Sequence, residues 1–407
     1  MRALNLLTLL LVVCNSNLLA TEENHQLDSY ISESKNKQFS YDYEKIDAES
    51  SKLRDSWIAP INIQYNYNKS KPDSREQIYQ NASIKIDQPI FQSGGIYFAI
   101  KFAEASRIYS NYSIDVAKRK LVKDAVSLLI QIKQSDIRIS KQKLQIKNAE
   151  INLTLKKEQY INGQLDSGFL DNAIIEKNLV TQTLYDIQTA RERIITKLKS
   201  ISDVSYQTIT VPHLEILSKN QFLENNIVLN MASSEIEKNK YYNNITIAKY
   251  LPKINVLAGY NWDKSENEQI NKTMPNVITE RDYYNYGFRA SMPIDINSFK
   301  DVESSKVDYL KSLVVVEDKK RELNAIFEQV MQNIDNLEKK RLLSLDNKEI
   351  YSKLLSDTKK LYSVGYKTLY DVELLDNSLK IQELNSQLFE LDKQLELLTL
   401  YEMYKYN

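Results

Sequence analysis

The chain has 407 residues, with 54 basic against 54 acidic side chains, 7 Gly, 7 Pro, 2 His and 1 Cys. Zero formal net charge removes the electrostatic case for nucleic acid as the main ligand. So few helix breakers in a chain that is 27% charged point to long uninterrupted helices rather than many short elements.

Catalysis is close to excluded by inventory, a carboxylate-only enzyme being the one kind left open. Cys14, His25 and His213 are the only residues of their types, far apart in the sequence, so no Cys/His metal cluster, Cys/His pair or Ser-His-Asp set can be assembled. The adjacent pair Gly94-Gly95 lacks the Lys-Ser/Thr of a phosphate-binding loop. We expect no enzyme, no cofactor and no metal.

Met1-Arg2, an apolar run from Leu4 to Val13 and a small residue at Ala20 read as a secretory signal peptide over residues 1–20. A competing reading takes Leu11 to Cys14 as a lipid-attachment box with Cys14 acylated, although Val13 is bulky for that motif. No later segment has 18 consecutive apolar residues, so any membrane span must be something other than a helix.

Six of the seven prolines pair across the chain: Pro60 with Pro252, Pro72 with Pro275, and Pro89 with Pro293, at offsets of 192, 203 and 204 residues. Tyr160-Ile-Asn-Gly163 and Tyr362-Ser-Val-Gly365 repeat at an offset of 202. One long period means a duplicated unit. We read residues 21–203 as a first repeat, 204–224 as a connector around Pro212, and 225–407 as a second repeat.

Within each repeat the pattern changes from period two to a helical period. Ile61, Ile63, Tyr65 and Tyr67 alternate with Asn62, Gln64, Asn66 and Asn68; Ala82, Ile84 and Ile86 follow suit. In the second repeat Ile254, Val256, Ala258, Tyr260 and Trp262 share one face, as do Tyr284, Tyr286, Phe288 and Ala290. These are strands with one apolar and one polar face, each about ten residues long, as a tilted membrane strand requires. The hairpins are expected at about 60–91 and 252–295, with polar loops from Lys69 to Tyr79 and from Asp263 to Asp282 as their tips. A soluble sandwich would show the same alternation, but apolar faces rich in Tyr and Trp favour membrane girdles.

Long helices are expected at about 96–162, 169–202, 299–363 and 368–404. A four-three spacing from Leu121 through Ala125, Ile132, Ile139, Ile146 and Ala149 to Tyr160 is a coiled-coil seam. The second repeat carries Leu323, Phe327, Val330, Ile334 and Leu337, then slips phase to Ile350, Leu354 and Leu361. The last helix has Ile381, Leu384, Leu388, Leu391, Leu395 and Leu398. A helix from Ile96 to Ile161 would be about 100 Å long, which suits a rod spanning a wide compartment. The segment before Ser34 is polar and expected to be poorly ordered.

Four strands cannot close a barrel, and open edges cannot sit in lipid, so several copies must share one. Two copies would give a barrel of about eight strands filled by its own side chains, whereas three leave a lumen. The expectation is an obligate oligomeric duct.

At three places the sequence resembles the TolC-like outer-membrane efflux proteins. Ile84-Lys-Ile-Asp-Gln-Pro-Ile-Phe-Gln-Ser-Gly-Gly95 looks like that family's strand-to-helix junction, with Pro89, Phe91, Gly94 and Gly95 as its key positions. Tyr250-Leu-Pro-Lys-Ile-Asn-Val-Leu-Ala-Gly-Tyr260 looks like its strand-opening segment, and Tyr362-Ser-Val-Gly-Tyr-Lys-Thr-Leu-Tyr-Asp-Val372 like its helix-hairpin tip. The resemblance covers roughly residues 35–404. It implies a mixed fold: a long antiparallel coiled-coil α-barrel plus four transmembrane β-strands per chain in a shared trimeric 12-stranded β-barrel. It also implies a homotrimer in outer-membrane lipid that extends into the periplasm of a Gram-negative type envelope. A periplasmic adaptor (membrane fusion) protein and an inner-membrane transporter are the implied partners. The second junction departs from the pattern, with Asp295 in place of Phe91 and Ser298-Phe299 in place of Gly94-Gly95.

The same resemblance implies a periplasmic gate at the hairpin tips marked by Gly163 and Gly365. Its positions here are Tyr362, Lys367 and Asp371, with Asp171 a partner from the other hairpin. The first tip is expected to be two residues longer than the second, since Asp171 is eight positions after Gly163 and Asp371 six after Gly365. A further acid common in the family is Leu374 here. Against the gate stands a plainer role for Asp371, capping its helix. The implied function is an exit duct for small-molecule efflux by a tripartite pump. Type I protein secretion, or a secreted coiled-coil structural protein without a pore, are the alternatives.

Overall fold

The computed structural model describes residues 29–269 and 275–405. The expected signal peptide, Cys14 and His25 lie outside the described residues, and so do five residues of the second strand-hairpin loop.

Each repeat is a helix, a strand hairpin and two long helices. The first runs α1 (Glu33–Arg54), β1 (Asn62–Ser70), β2 (Gln77–Phe91), α2 (Gly95–Ile161) and α3 (Ser167–Ile201). A short helix α4 (Lys219–Glu224) lies in the connector. The second runs α5 (Ile227–Lys249), β3 (Lys253–Asn267), β4 (Val277–Ser291), α6 (Ser298–Ser363) and α7 (Leu369–Tyr401). Helices α2 and α6 are 67 and 66 residues long.

Two helices went unread in the sequence. Helix α1 buries no residue, so it has no apolar stripe to announce it. Just before it, Tyr30 and Ile31 are buried, and the Ser32 amide donates to the Ile201 carbonyl at 3.0 Å. The described residues ahead of Ser34 are thus anchored, contrary to the expectation of disorder. Helix α5 shows the same weakness of pattern, burying only scattered residues such as Ala232 and Ala248.

The chain divides into two compact units. One comprises the described parts of Met1–Tyr41, Ile114–Val228 and Lys320–Asn407; the other comprises Asp42–Ser113 and the described parts of Leu229–Lys319. The first unit is all helix and connector. Its core holds Val126, Leu129, Ile130, Ile132, Ile195, Leu198, Leu397 and Leu400, each nearly or fully removed from solvent. Helix α2 meets α3 through the Gln142 side chain, which donates to the Val180 carbonyl at 2.8 Å, and through Arg191 on Asp136 at 2.6 Å. It meets α7 through Gln134 on Asp392 and Asn377 on Asn148, both at 2.7 Å. The connector is fastened to α7 by the Gln394 side chain, which accepts from the Leu214 amide at 2.8 Å, while Phe222 of α4 stacks on Phe327.

The expected phase slip in α6 does not occur. The four-three seam of Leu323, Phe327, Val330 and Ile334 continues through Ser344, Leu355 and Thr358, all buried. Ile350, Leu354 and Leu361 are exposed instead, with Leu343, as a second stripe. A polar residue can hold a seam position when its hydrogen bond is met locally, and Ser344 donates to the Gln382 carbonyl at 2.9 Å.

The second unit contains the sheet, antiparallel throughout in the order β1-β2-β3-β4. Three strands have 15 residues rather than ten, and β1 has 9. The hairpin loops are correspondingly shorter than expected. Strand β3 pairs with β4 as far as Asn267 with Val277, through positions read in the sequence as loop. Cross-strand polar pairs hold these ends, including Lys69 with Glu76 at 2.6 Å and the Trp262 indole on Glu280 at 2.8 Å.

Candidate functional site

The sheet has two chemically distinct faces, and register fixes both. Ile63, Ile84, Tyr260 and Tyr284 lie side by side across the four strands, as do Ile86, Ala258 and Tyr286 across three. On this apolar face Tyr284, Tyr286 and Phe288 are 76–81% exposed and Ile63 is 78% exposed. The opposite face is polar, and it is the one with buried side chains: Ser83, Asn261 and Asp263. This inverts the pattern of a soluble sandwich, whose apolar face would be covered.

The polar face is a hydrogen-bonded network. The Asp263 carboxylate accepts from the Asn81 amide at 2.6 Å and the Tyr79 hydroxyl at 2.9 Å, with Arg281 at 3.5 Å. Asp87 accepts from the Asn255 side chain at 2.6 Å and from Arg289 at 3.1 Å. The apolar face becomes mixed beyond the level shared by Tyr65 and Trp262: the next level outward carries Tyr67, Gln80, Lys264 and Glu280, and the one after it Lys69, Ile78, Glu266 and Ile278. The apolar stretch of β3 from Ile254 to Trp262 is nine residues, so the rest of the 15-residue strand runs beyond it into polar surroundings.

At the end of β2, Pro89 precedes a register shift against β3, the bulge position at which a strand tolerates the missing amide proton. The chain then turns through Ser93 and Gly94, both at positive φ (49° and 86°), and the Ser93 hydroxyl donates to the Pro252 carbonyl at 2.6 Å. A side chain at Gly94 would come within 3.1 Å of Phe98, and one at Gly95 within 3.3 Å of Ala248, so both glycines serve close packing. Phe91, by contrast, is 49% exposed. At the second junction no described residue has positive φ. There the Asp295 carboxylate accepts from the Asn297 amide at 2.8 Å, and a side-chain turn replaces the backbone one.

The two helix-hairpin tips share one backbone plan. Gly163 and Gly365 have φ of 70° and 83°. The amides following them close the helix ends, Gln164 on the Gln159 carbonyl and Tyr366 on the Leu361 carbonyl, at 2.8 and 2.9 Å. The N-cap of the next helix, Asp166 or Thr368, lies three residues after each glycine. The tips are therefore the same length, contrary to expectation. Asp171 corresponds in register to Glu373, and Phe169 to Asp371. Anchoring on the cap residue, rather than on the nearest acid, would have set this alignment from sequence.

Of the expected gate residues, Lys367 and Asp371 come together, Nζ to Oδ1 at 3.7 Å with both side chains partly exposed. Asp371 is also the third residue of a capping box: its Oδ2 accepts from the Thr368 amide and hydroxyl, each at 2.9 Å, and its own amide donates back at 3.2 Å. These bonds from Thr368 hold the Asp371 carboxyl below the usual carboxylate range, with Lys367 adding to the effect. Tyr362 is 45% exposed on the last turn of α6. Asp171 lies exposed in the first turns of α3, without a hydrogen-bond or ion-pair partner among the described residues. No helix among the described residues is long and apolar enough to cross a membrane.

Residues 219–404 match the family model described as outer membrane efflux protein. None of the curated proteins matches the chain in sequence. Among solved structures it is similar to the CmeC outer membrane channel of Campylobacter jejuni, at 12% identity and a TM-score of 0.69, over 93% of this chain and 84% of that one. It is similar to the outer membrane protein VceC of Vibrio cholerae at 13% identity and a TM-score of 0.67, over 95% and 97% of the two chains. The open-state MtrE outer membrane channel of Neisseria gonorrhoeae matches at 11% identity and a TM-score of 0.65, over 93% and 87%. The stretch from the connector through the second repeat thus matches the outer membrane efflux protein family in sequence, and nearly the whole chain shares the fold of these outer membrane channels.

Proposed function

We propose that three copies of this chain close their sheets into one twelve-stranded outer-membrane barrel, continued by their helices as a periplasmic duct for small-molecule efflux. The observation that carries the reading is the sheet: an exposed aromatic and aliphatic face, a hydrogen-bonded polar face, and the outer edges of β1 and β4 without a strand partner among the described residues. Lipid leaves no water to satisfy such edges, so neighbouring copies must pair them. The apolar face then meets lipid and the polar face lines the lumen. The exposed stripe of Leu343, Ile350, Leu354 and Leu361 on α6 is covered by the next copy. A periplasmic adaptor protein and an inner-membrane transporter supply and open the duct.

In this reading Tyr362, Lys367 and Asp371 narrow the periplasmic end. Because Asp371 already caps α7, Lys367 is the mobile element of the latch and Asp171 of another hairpin its alternative partner. Exposed pairs of this kind contribute only ~0–1 kcal/mol each, a latch weak enough for a partner to open.

Purification in detergent tests the assembly: a trimer that migrates differently before and after heating, fractionates with the outer membrane and conducts in planar bilayers is expected. A water-soluble monomer without detergent would overturn it. Deleting the gene and assaying drug sensitivity beside secreted proteins separates small-molecule efflux from type I secretion.

A further inference from the structure

The charges on the sheet's polar face do not balance. Strands β2, β3 and β4 place Lys85, Asp87, Lys253, Asp263, Arg281 and Arg289 on it, and β1 adds only uncharged Asn62, Gln64, Asn66, Asn68 and Ser70. Both carboxylates are matched by arginines, Asp87 by Arg289 and Asp263 by Arg281. Lys85 and Lys253 are exposed and have no ion-pair or hydrogen-bond partner among the described residues.

Lys85 stands where a charge acts most strongly. It pairs across the ladder with Asn62 on one side and Gly259 on the other, and Gly259 pairs with Asn285. Gly259 has no side chain and Asn62 and Asn285 are uncharged, so nothing in its row neutralises the ammonium. The flanking levels on the opposite face are Ile84, Tyr260 and Tyr284 on one side and Ile86, Ala258 and Tyr286 on the other, the middle of the apolar band. A charge inside a low-dielectric wall has its field focused into the aqueous lumen rather than dissipated around it. Lys253 opens β3 at the other end of the polar face, beside Pro252.

We infer that Lys85, supported by Lys253, makes the barrel lumen anion-attracting, so that the duct favours anionic over cationic small molecules of similar size. This rests on the duct reading, in which the polar face is the lumen wall. Symmetry turns one unpaired lysine into a ring of like charge, the arrangement by which pores select anions. The arginines do not contribute equally, because each is held by its carboxylate.

The test is the reversal potential of single channels in planar bilayers between ~0.01 and ~0.1 M KCl, where screening lengths are about 30 and 10 Å. The wild-type channel is expected to pass chloride in preference to potassium. Lys85→Gln should lower the chloride-to-potassium permeability ratio by about two- to fivefold, the effect expected for a ring of charges ~10 Å from the ion in water. Lys85→Glu should invert the preference, and Lys85→Arg should keep it. A channel that conducts with the same reversal potential in all four forms overturns the inference and leaves the duct intact. Absence of conductance in every form would count against the duct, and a second measurement then decides. Asn62→Cys, paired with Lys85 in the ladder of a chain whose sole natural cysteine is Cys14, is treated in proteoliposomes with anionic and cationic methanethiosulfonates, once with Lys85 retained and once with Lys85→Gln. Faster reaction of the anionic reagent, relative to a free thiol, with Lys85 in place, and loss of that preference with Lys85→Gln, support the positive field. Equal relative rates, or no reaction, overturn it.

Discussion

The two copies of the repeat perform the same two tasks by different local chemistry. Leaving the sheet, the first copy bends its backbone through positive φ at Ser93 and Gly94, while the second uses the Asp295 carboxylate to hold the Asn297 amide. At the hairpin tips the backbone is common, with Gly163 and Gly365 ending one helix, but the caps differ. Asp166 accepts from the Gly168 amide at 3.3 Å and the Ser167 hydroxyl at 3.1 Å and makes no reciprocal box, whereas Thr368 and Asp371 form one. The tips keep one backbone geometry with different capping residues, whereas the junctions differ in backbone conformation as well. A turn held by backbone conformation tolerates fewer side chains than one held by a hydrogen bond.

The sharpest way to break that comparison is at the junctions. Gly94→Ala should cost about 1–3 kcal/mol, because it combines positive φ with a contact at 3.1 Å on Phe98, while the equivalent Ser298→Ala should cost less than about 0.5 kcal/mol. Denaturation midpoints of the detergent-solubilised protein check both, and equal losses would remove the distinction.

The next effect lies at the caps. Thr368→Ala removes the hydroxyl's bonds with Asp371 while keeping the backbone half of the capping box, and should destabilise the start of α7 by about 1 kcal/mol, exceeding Asp166→Ala at the start of α3. Amide exchange in the first turn of each helix reads the difference directly.

Acid sharpens the same contrast. The Asp371 carboxyl is depressed in the folded chain, so its contribution is complete above its unfolded pKa and disappears as pH falls through the lower folded value. Exchange protection at the start of α7 should therefore drop only below the ordinary Asp range, about pH 4. Asp371→Asn should abolish that acid-dependent step.

The smallest effect is expected at the latch. Lys367→Ala removes an exposed pair at 3.7 Å, should leave stability within about 0.5 kcal/mol, and should raise single-channel conductance. Unchanged conductance would leave Asp371 as a helix cap alone.

The paired prolines, the duplicated tip and the two faces of every strand were legible in the sequence because each expresses a rule of one or two residues. Pro89 sits at a bulge, Gly365 takes positive φ, and alternation in β3 marks its apolar face from Ile254 to Trp262. Strand length was not legible, since β3 past Trp262 carries only polar residues on both faces, and their partners, Glu280 and Ile278 among them, show no common pattern to mark the pairing. Helix α1 was missed for the same lack of contrast. Of the residues proposed for the gate, Lys367 and Asp371 meet, but the engagement of Asp371 with Thr368 required the capping geometry, and Asp171 fell out of register with it.

By itself, then, the sequence determined the repeat, the long helices and the two-faced strands, because local periodicity and turn chemistry act along the chain. Tertiary structure alone decided which of the two apolar stripes on α6 is buried, and which charges on the sheet find partners. Leu355 and Ile350 are equally apolar, yet one is covered and the other exposed. Lys85 and Arg289 are equally cationic, yet only Arg289 has a carboxylate within reach. Burial and pairing depend on what lies across the gap to another element, and that information is not carried by the residues beside them in the chain.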